Sequence, residues 1–175
     1  NTGGTTTYTW TNDNISSGLS STSGTGDVPP FTATNTGTTP IVSTIRVTPS
    51  FEDSFGNSCP GPAESYTITV NPEAQVNPLT PLAVCNGDFT NVTFSSLNIG
   101  GQTNYSWSNT NTNIGLGASG NGSIPSFEAT NLTGSPLDAT ITVTPTFING
   151  GIPCPGPSET FTITVNPTLD LVPTV

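Results

Sequence analysis

The sequence contains no histidine and no lysine, and only twelve of its 175 residues are charged, eleven of them acidic and one, Arg46, basic. Nucleophile systems of the Ser-His-Asp, Cys-His and Ser-Lys kinds cannot be assembled from such a chain. A formal net charge of −10 also leaves no basic surface for phosphate groups, so we expect no binding to nucleic acid or to anionic membranes. We therefore predict a protein that is not an enzyme and that has a neutral polar surface.

Long apolar runs are also missing. No stretch approaches the roughly 20 residues of a membrane-spanning helix, so we expect no membrane insertion. Metal ligands are few. Asp13 and Asp88 are the calcium candidates, but neither has the several neighbouring carboxylates of a dedicated calcium site. We expect no cofactor, with calcium as the one metal that the composition leaves open.

The three cysteines, Cys59, Cys85 and Cys154, are candidates for disulfides, although their number is odd. Disulfides belong to oxidising, extracellular surroundings, and the Thr- and Asn-rich composition fits the same setting, so we expect a location outside the cell, at its surface. A bridge between Cys85 and Cys154 within one domain competes with bridges between neighbouring domains. Three free thiols are the third alternative.

An internal repeat organises the whole chain. Segment 59–72, with its Cys-Pro-Gly-Pro and Thr-Ile-Thr-Val-Asn-Pro motifs, recurs as segment 154–167, an offset of 154 − 59 = 95 residues. Tracing the match backwards pairs Trp10 with Trp107 and aligns residue 1 with residue 98. A period of this length indicates tandem domains. We predict a partial repeat over 1–72, a complete repeat over 73–167 and the beginning of a further repeat over 168–175.

Alternation of polar and apolar residues predicts β-strands throughout, and no window shows a helical period. Gly and Pro punctuate the alternating runs about every ten residues, as in antiparallel sandwiches with about seven strands per domain. The predicted fold is all-β, with tandem immunoglobulin-like antiparallel sandwiches. The strands expected in the complete repeat are 82–85, 91–96, 104–108, 114–118, 126–131, 139–147 and 159–165.

Trp10 and Trp107 occupy equivalent positions on a predicted strand. Sandwich domains commonly bury an aromatic residue here against the opposite sheet, so we predict packing roles for both. The alternative is that both are exposed and stack on a sugar, which would make them the aromatic contacts of a carbohydrate ligand.

The first repeat lacks a counterpart of residues 77–97, which carry the first two strands of the second repeat. A sandwich without two strands exposes apolar core and an unpaired strand edge, and both need a cover. Upstream residues of a longer chain and strands donated by a neighbouring molecule are the two sources that we consider. Neighbouring repeats or subunits are therefore the expected partners.

Several motifs of the second repeat resemble those of a group of surface proteins: Val84–Asp88, Tyr105–Asn109, Ile124–Asn131, Thr140–Pro145 and Thr162–Pro167. The pattern is similar to the PKD-like repeats of very large adhesins from gliding Bacteroidota, the SprB-type gliding-motility adhesins. The resemblance implies an immunoglobulin-like fold, export by the type IX route, and a role in attachment and gliding. It implies no catalytic residue.

The expected function is a structural and adhesive repeat region of a secreted cell-surface filament. Linking many weak sites raises their effective concentration, which suits adhesion, and surface polysaccharide is the candidate ligand. A fibre subunit completed by strand donation is one alternative. A carbohydrate-binding module of an exported enzyme is the other.

Overall fold

The structure is a computed structural model that describes residues 3–168. Within that range the chain forms thirteen β-strands and two short 3₁₀ helices, Ile15–Ser17 and Thr112–Ile114, with no α-helix. The all-β prediction is confirmed. No helix among these residues is long and apolar enough to cross a membrane. The chain divides into two compact units, 1–72 and 73–175, and the first ends at Pro72, where the first sequence repeat also ends.

The described residues of the first unit, 3–72, form a single antiparallel sheet of five strands. Their order is β2-β1-β3-β4, with β5 also paired to β3. The strands are β1 (Gly4–Asn12), β2 (Ser23–Thr25), β3 (Ile41–Asp53), β4 (Ser58–Pro60) and β5 (Glu64–Val70). The long central strand β3 brings Ile45 into a small core with Trp10 and Leu19. This core has only three buried residues, which shows how little cover the single sheet has.

The second unit contains two sheets, as expected of a sandwich. A six-stranded sheet has the order β6-β13-β11-β8-β9, with β12 also paired to β11, and a two-stranded sheet pairs β7 with β10. The pairs are antiparallel except that β6 runs parallel to β13. The strands are β6 (Leu82–Cys85), β7 (Phe89–Val92), β8 (Gln102–Asn109), β9 (Ser119–Asn121), β10 (Ile124–Glu128), β11 (Leu137–Asn149), β12 (Ile152–Pro155) and β13 (Glu159–Asn166).

The core of the second unit combines residues from both sheets. Alternate residues of β11 and β13 point inward, among them Ile141 and Ile163, neither of which has any exposed surface. Ile124 of β10 and Phe94, which follows β7, are buried in the same core. Twelve buried residues make up this cluster, four times as many as in the first unit. In β11 and β13 the period-2 alternation of the sequence thus corresponds to one buried face and one more exposed face.

The predicted strand over 114–118 is wrong. Asn111 caps the 3₁₀ helix there by accepting the backbone N–H of Asn113, and Gly115 ends it with a positive φ of 91°. Only glycine adopts this conformation without strain, so the chain turns before β9 begins at Ser119. Strands β9 and β12 were not predicted, and β12 contains two prolines, Pro153 and Pro155, which are uncommon within strands. With these two strands added and the strand over 114–118 removed, residues 73–168 form eight strands, one more than expected.

The beginning of a further repeat, predicted over 168–175, lies outside the described residues except for Thr168.

Candidate functional site

Trp10 and Trp107 lie in the cores of their units and are only 3% and 6% exposed. Each indole packs against a glycine directly opposite on the neighbouring strand, Gly24 for Trp10 and Gly120 for Trp107. A Cβ atom at either glycine would collide with the indole ring. Both indole nitrogens are buried without a hydrogen-bond partner in the structure. In this fold the two side chains pack and offer no surface for stacking on a sugar.

All three cysteines are free thiols. Cys85 pairs in register with Asn166, the last residue of β13, whereas Cys154 precedes the first residue of that strand, Glu159. The eight residues of β13 extend over about 25 Å at about 3.3 Å per residue. Bridged cysteines need Cα atoms within about 7 Å. The Cys85–Cys154 bridge is therefore not compatible with this fold, while a bridge from any of the three, Cys59 included, to another domain stays a prediction.

The two calcium candidates have structural partners. The Asp13 carboxylate accepts the backbone N–H of Thr44 at 2.7 Å, and this bond holds the pKa of Asp13 below its usual value. The Asp88 carboxylate accepts the backbone N–H of Cys85 at 2.9 Å and thereby closes the turn between β6 and β7. Among residues 3–168, no group of three or more His, Cys, Asp or Glu side chains could hold a metal ion. Calcium binding stays a prediction.

Asparagines that recur in both repeats hold the loops. Asn131 is 3% exposed, and its amide donates to the carbonyl oxygens of Ser135 at 2.9 Å and Val165 at 2.7 Å. Asn35, its equivalent, donates in the same way to two carbonyl oxygens, each at 2.8 Å. Asn12 and Asn109 likewise donate to the loop that follows them. Sequence reasoning did not assign these roles, although recurrence at equivalent positions of the repeat was the available signal.

The units differ most where Phe94 lies. In the second unit Phe94 is 6% exposed and packs on Tyr105 and Phe161, with ring centroids 5.6 and 6.5 Å away. The equivalents of these two rings in the first unit are Tyr8 and Tyr66, which are 48% and 47% exposed. The first unit therefore displays the side chains that a Phe94-like residue would cover, without such a residue among those described.

These tyrosines border a groove of about 280 Å³ in the first unit. We call it the open groove and define it by Tyr8, Trp10, Val28, Val47 and Tyr66. Its walls are mostly apolar and aromatic, and Gly26 and Asp27 complete them. The equivalents of Val28 and Val47, which are Ile124 and Val143, are 1% and 0% exposed in the second unit, whereas both valines are only half-buried.

A free strand edge accompanies the open groove. Strand β5 pairs with β3 alone among the described residues, whereas its equivalent β13 pairs with both β11 and β6. The segment equivalent to β10, residues 28–32, forms no strand in the first unit, where no described residues form an equivalent of β7, the strand with which β10 pairs. Ala33, which directly follows that segment, is exposed, whereas its equivalent Ala129 is fully buried. The open groove and the free edge of β5 together form the candidate functional site.

Comparison with known protein families, with characterised proteins and with solved structures finds no match to this chain. The two repeats therefore serve as each other's reference.

Proposed function

We propose that this chain is a structural and adhesive repeat region of a secreted filament on a cell surface, serving attachment and gliding motility. The observation that carries the proposal is the repetition of one all-β plan in a chain with twelve charged residues. Both units share the tryptophan packed on glycine and the loop-holding asparagines. A protein that repeats a rigid module gains length and number of sites.

The surface of the modules suits a neutral hydroxyl-rich ligand. Threonines alternate with the buried residues of β11, so that Thr140, Thr142, Thr144 and Thr146 share the outer face of the six-stranded sheet. Hydroxyl groups donate and accept hydrogen bonds without carrying charge. A neutral surface polysaccharide offers the same groups in return, so the face supports many weak contacts of one kind. This argument favours polysaccharide as the ligand class.

The structure supports one of the two alternative functions, the fibre subunit completed by strand donation, better than the other, the carbohydrate-binding module. A carbohydrate-binding module would use exposed aromatic platforms, but Trp10 and Trp107 are buried, so its main support is lost. A fibre subunit completed by donated strands gains support from the open groove and the free edge of β5. Strand donation is therefore the second candidate function, and it is compatible with a filament.

Adhesion is tested with beads that carry either one copy of the chain or several linked copies. We expect linked copies to retain beads on surface polysaccharide with an apparent affinity about 100-fold or more above that of single copies. The comparison is the same linked chain with Thr142→Ala and Thr144→Ala in each copy. This variant lacks two hydroxyls of the outer face and should therefore bind more weakly. Linked copies that bind neither cells nor any surface polysaccharide would refute the proposal.

A further inference from the structure

We infer that the open groove and the free edge of β5 receive a segment of the same repeat type, with the sequence pattern of residues 73–97, joined ahead of β1. The second unit shows this arrangement directly. There the segment supplies β6, β7 and Phe94, and it leads into β8, the equivalent of β1. The inference does not depend on adhesion, because it concerns only how the first unit is completed.

The apolar side chains of segment 73–97 match what the first unit exposes. In the second unit the segment contributes Phe94 to the core, together with five partly buried residues packed on it, Val76, Leu79, Leu82, Val84 and Val92. Phe94 covers the ring equivalents of Tyr8 and Tyr66. A segment with the same pattern would cover both tyrosine rings at least in part, as Phe94 covers Tyr105 and Phe161, and would fill the open groove. Burial of such apolar and aromatic surface is the main driving force of association.

The backbone of the segment matches the free edge. Strand β6 runs parallel to β13, with Leu82 opposite Ile163 and Val84 opposite Val165. The equivalents of the two β13 residues on β5 are Ile68 and Val70. A parallel strand on this edge would therefore place its apolar residues beside these two, as in the second unit. It would also satisfy the unpaired backbone groups that an open edge presents.

Gly61 is a separate indication of where the linker ahead of the equivalents of β6 and β7 would lie. In the second unit the linker residue Ala74 is fully buried and its carbonyl lies so close to Gly156 that a Cβ there would collide with it. An added Cβ at the equivalent Gly61 would meet only Pro49, whose ring lies 3.0 Å away and whose carbonyl oxygen lies 3.8 Å away. The small residue of the Cys-Pro-Gly-Pro motif is thus retained in the first unit, although the linker that requires it in the second unit has no described counterpart there.

The first test adds a synthetic peptide of residues 73–97, with C85S to exclude thiol chemistry, to the full chain and follows amide hydrogen exchange. We expect the peptide to slow amide exchange in β5 and to leave exchange in β13 unchanged, because the second unit already has its own segment. A peptide with Phe94→Ala should bind about 100-fold more weakly, as expected for loss of a buried phenyl ring. A peptide with Phe89→Ala is the matched control, because Phe89 is 75% exposed, and it should bind within about twofold of the original.

The linker is tested with Gly61→Ala in the full chain. We expect peptide 73–97 to lose about tenfold or more in affinity, because its linker would meet the new methyl group. A shorter peptide, 79–97, should bind this variant as tightly as it binds the original chain, which also shows that the first unit still folds. Equal loss for both peptides would overturn the placement of the linker.

The position ahead of β1 is tested by a chain to which the sequence of residues 73–97 has been added before Asn1. We expect β5 of this extended chain to exchange as slowly as β13. We also expect that added peptide 73–97 no longer binds. An extended chain that leaves β5 unprotected, or that still binds peptide, would overturn the inference. Peptides with and without Phe94 that bind equally would do the same. A failure of adhesion would change none of these exchange rates.

Discussion

Replacing Phe94 by alanine should separate the stabilities of the two units. Phe94 is 6% exposed and contacts two rings, so its truncation removes a buried phenyl group and the ring pairs with Tyr105 and Phe161. Buried Phe→Ala changes cost about 3 to 5 kcal/mol of unfolding free energy, of which each ring pair accounts for about 0.5 to 1.5 kcal/mol. A domain of this size has about 5 to 15 kcal/mol in total. The second unit should therefore lose a large part of its stability.

The matched control is Phe89→Ala, five residues earlier in the same segment. Phe89 is 75% exposed, so its truncation should change stability by no more than about 0.5 kcal/mol. Hydrogen exchange in increasing urea resolves the units, because peptides from β3 report on the first and peptides from β11 on the second. We expect Phe94→Ala to lower protection in β11 and leave β3 unchanged. Equal effects of the two truncations, or loss of protection in β3 equal to that in β11, would refute the role given to Phe94.

Three further predictions follow from single contacts. Gly120→Ala should cost about 1 to 3 kcal/mol of unfolding free energy because the new methyl group meets the indole opposite, whereas Gly117→Ala, with open space around it, is the control in the same urea titration. Asn131→Ala should cost about 1 to 3 kcal/mol, because two carbonyl oxygens at 2.9 and 2.7 Å lose their donor, and a loss below about 0.5 kcal/mol would contradict this. The side chain of Asn57 donates to Asp53 and lowers the pKa of that carboxyl, so its stabilising effect is complete above the unfolded pKa and is lost as the pH falls through the folded one. A carboxyl NMR titration that places the folded pKa of Asp53 at or above about 3.9 would contradict this cause.

The positions of β11 and β13 were predictable because one face of each of these two strands is buried. The runs around Ile141 and Ile163 alternate strictly, and the structure places both residues fully inside. Alternation is informative only where the opposite face meets solvent. The turn at Gly115 was not predicted, although Asn111 and Gly115 are residues that commonly begin and end a helical turn. Local hydrogen bonding by asparagine competes with strand pairing and decided the outcome there.

The candidate site was predictable only in outline. The missing counterpart of residues 77–97 could be read from the repeat, and it implied exposed core and an open edge. Which side chains become exposed depends on packing across the sandwich, and that required the positions of Phe94, Tyr105 and Phe161. The separation of Cys85 from Cys154 likewise depends on β6 running parallel to β13, which no local sequence pattern specifies.

The contrast between the units indicates which part of the module is the framework and which is the cover. The five-stranded sheet of the first unit keeps the pairings of its counterpart, with Trp10 opposite Val47 as Trp107 is opposite Val143. It does so although β6 and β7 have no equivalents among residues 3–72. The sheet is therefore specified by its own residues, above all by the tryptophan that packs on a glycine of the neighbouring strand. The segment of residues 73–97 adds burial to a sheet that already has its register. A module built in this way can accept its cover as a separate step, which is the property that the peptide experiment measures.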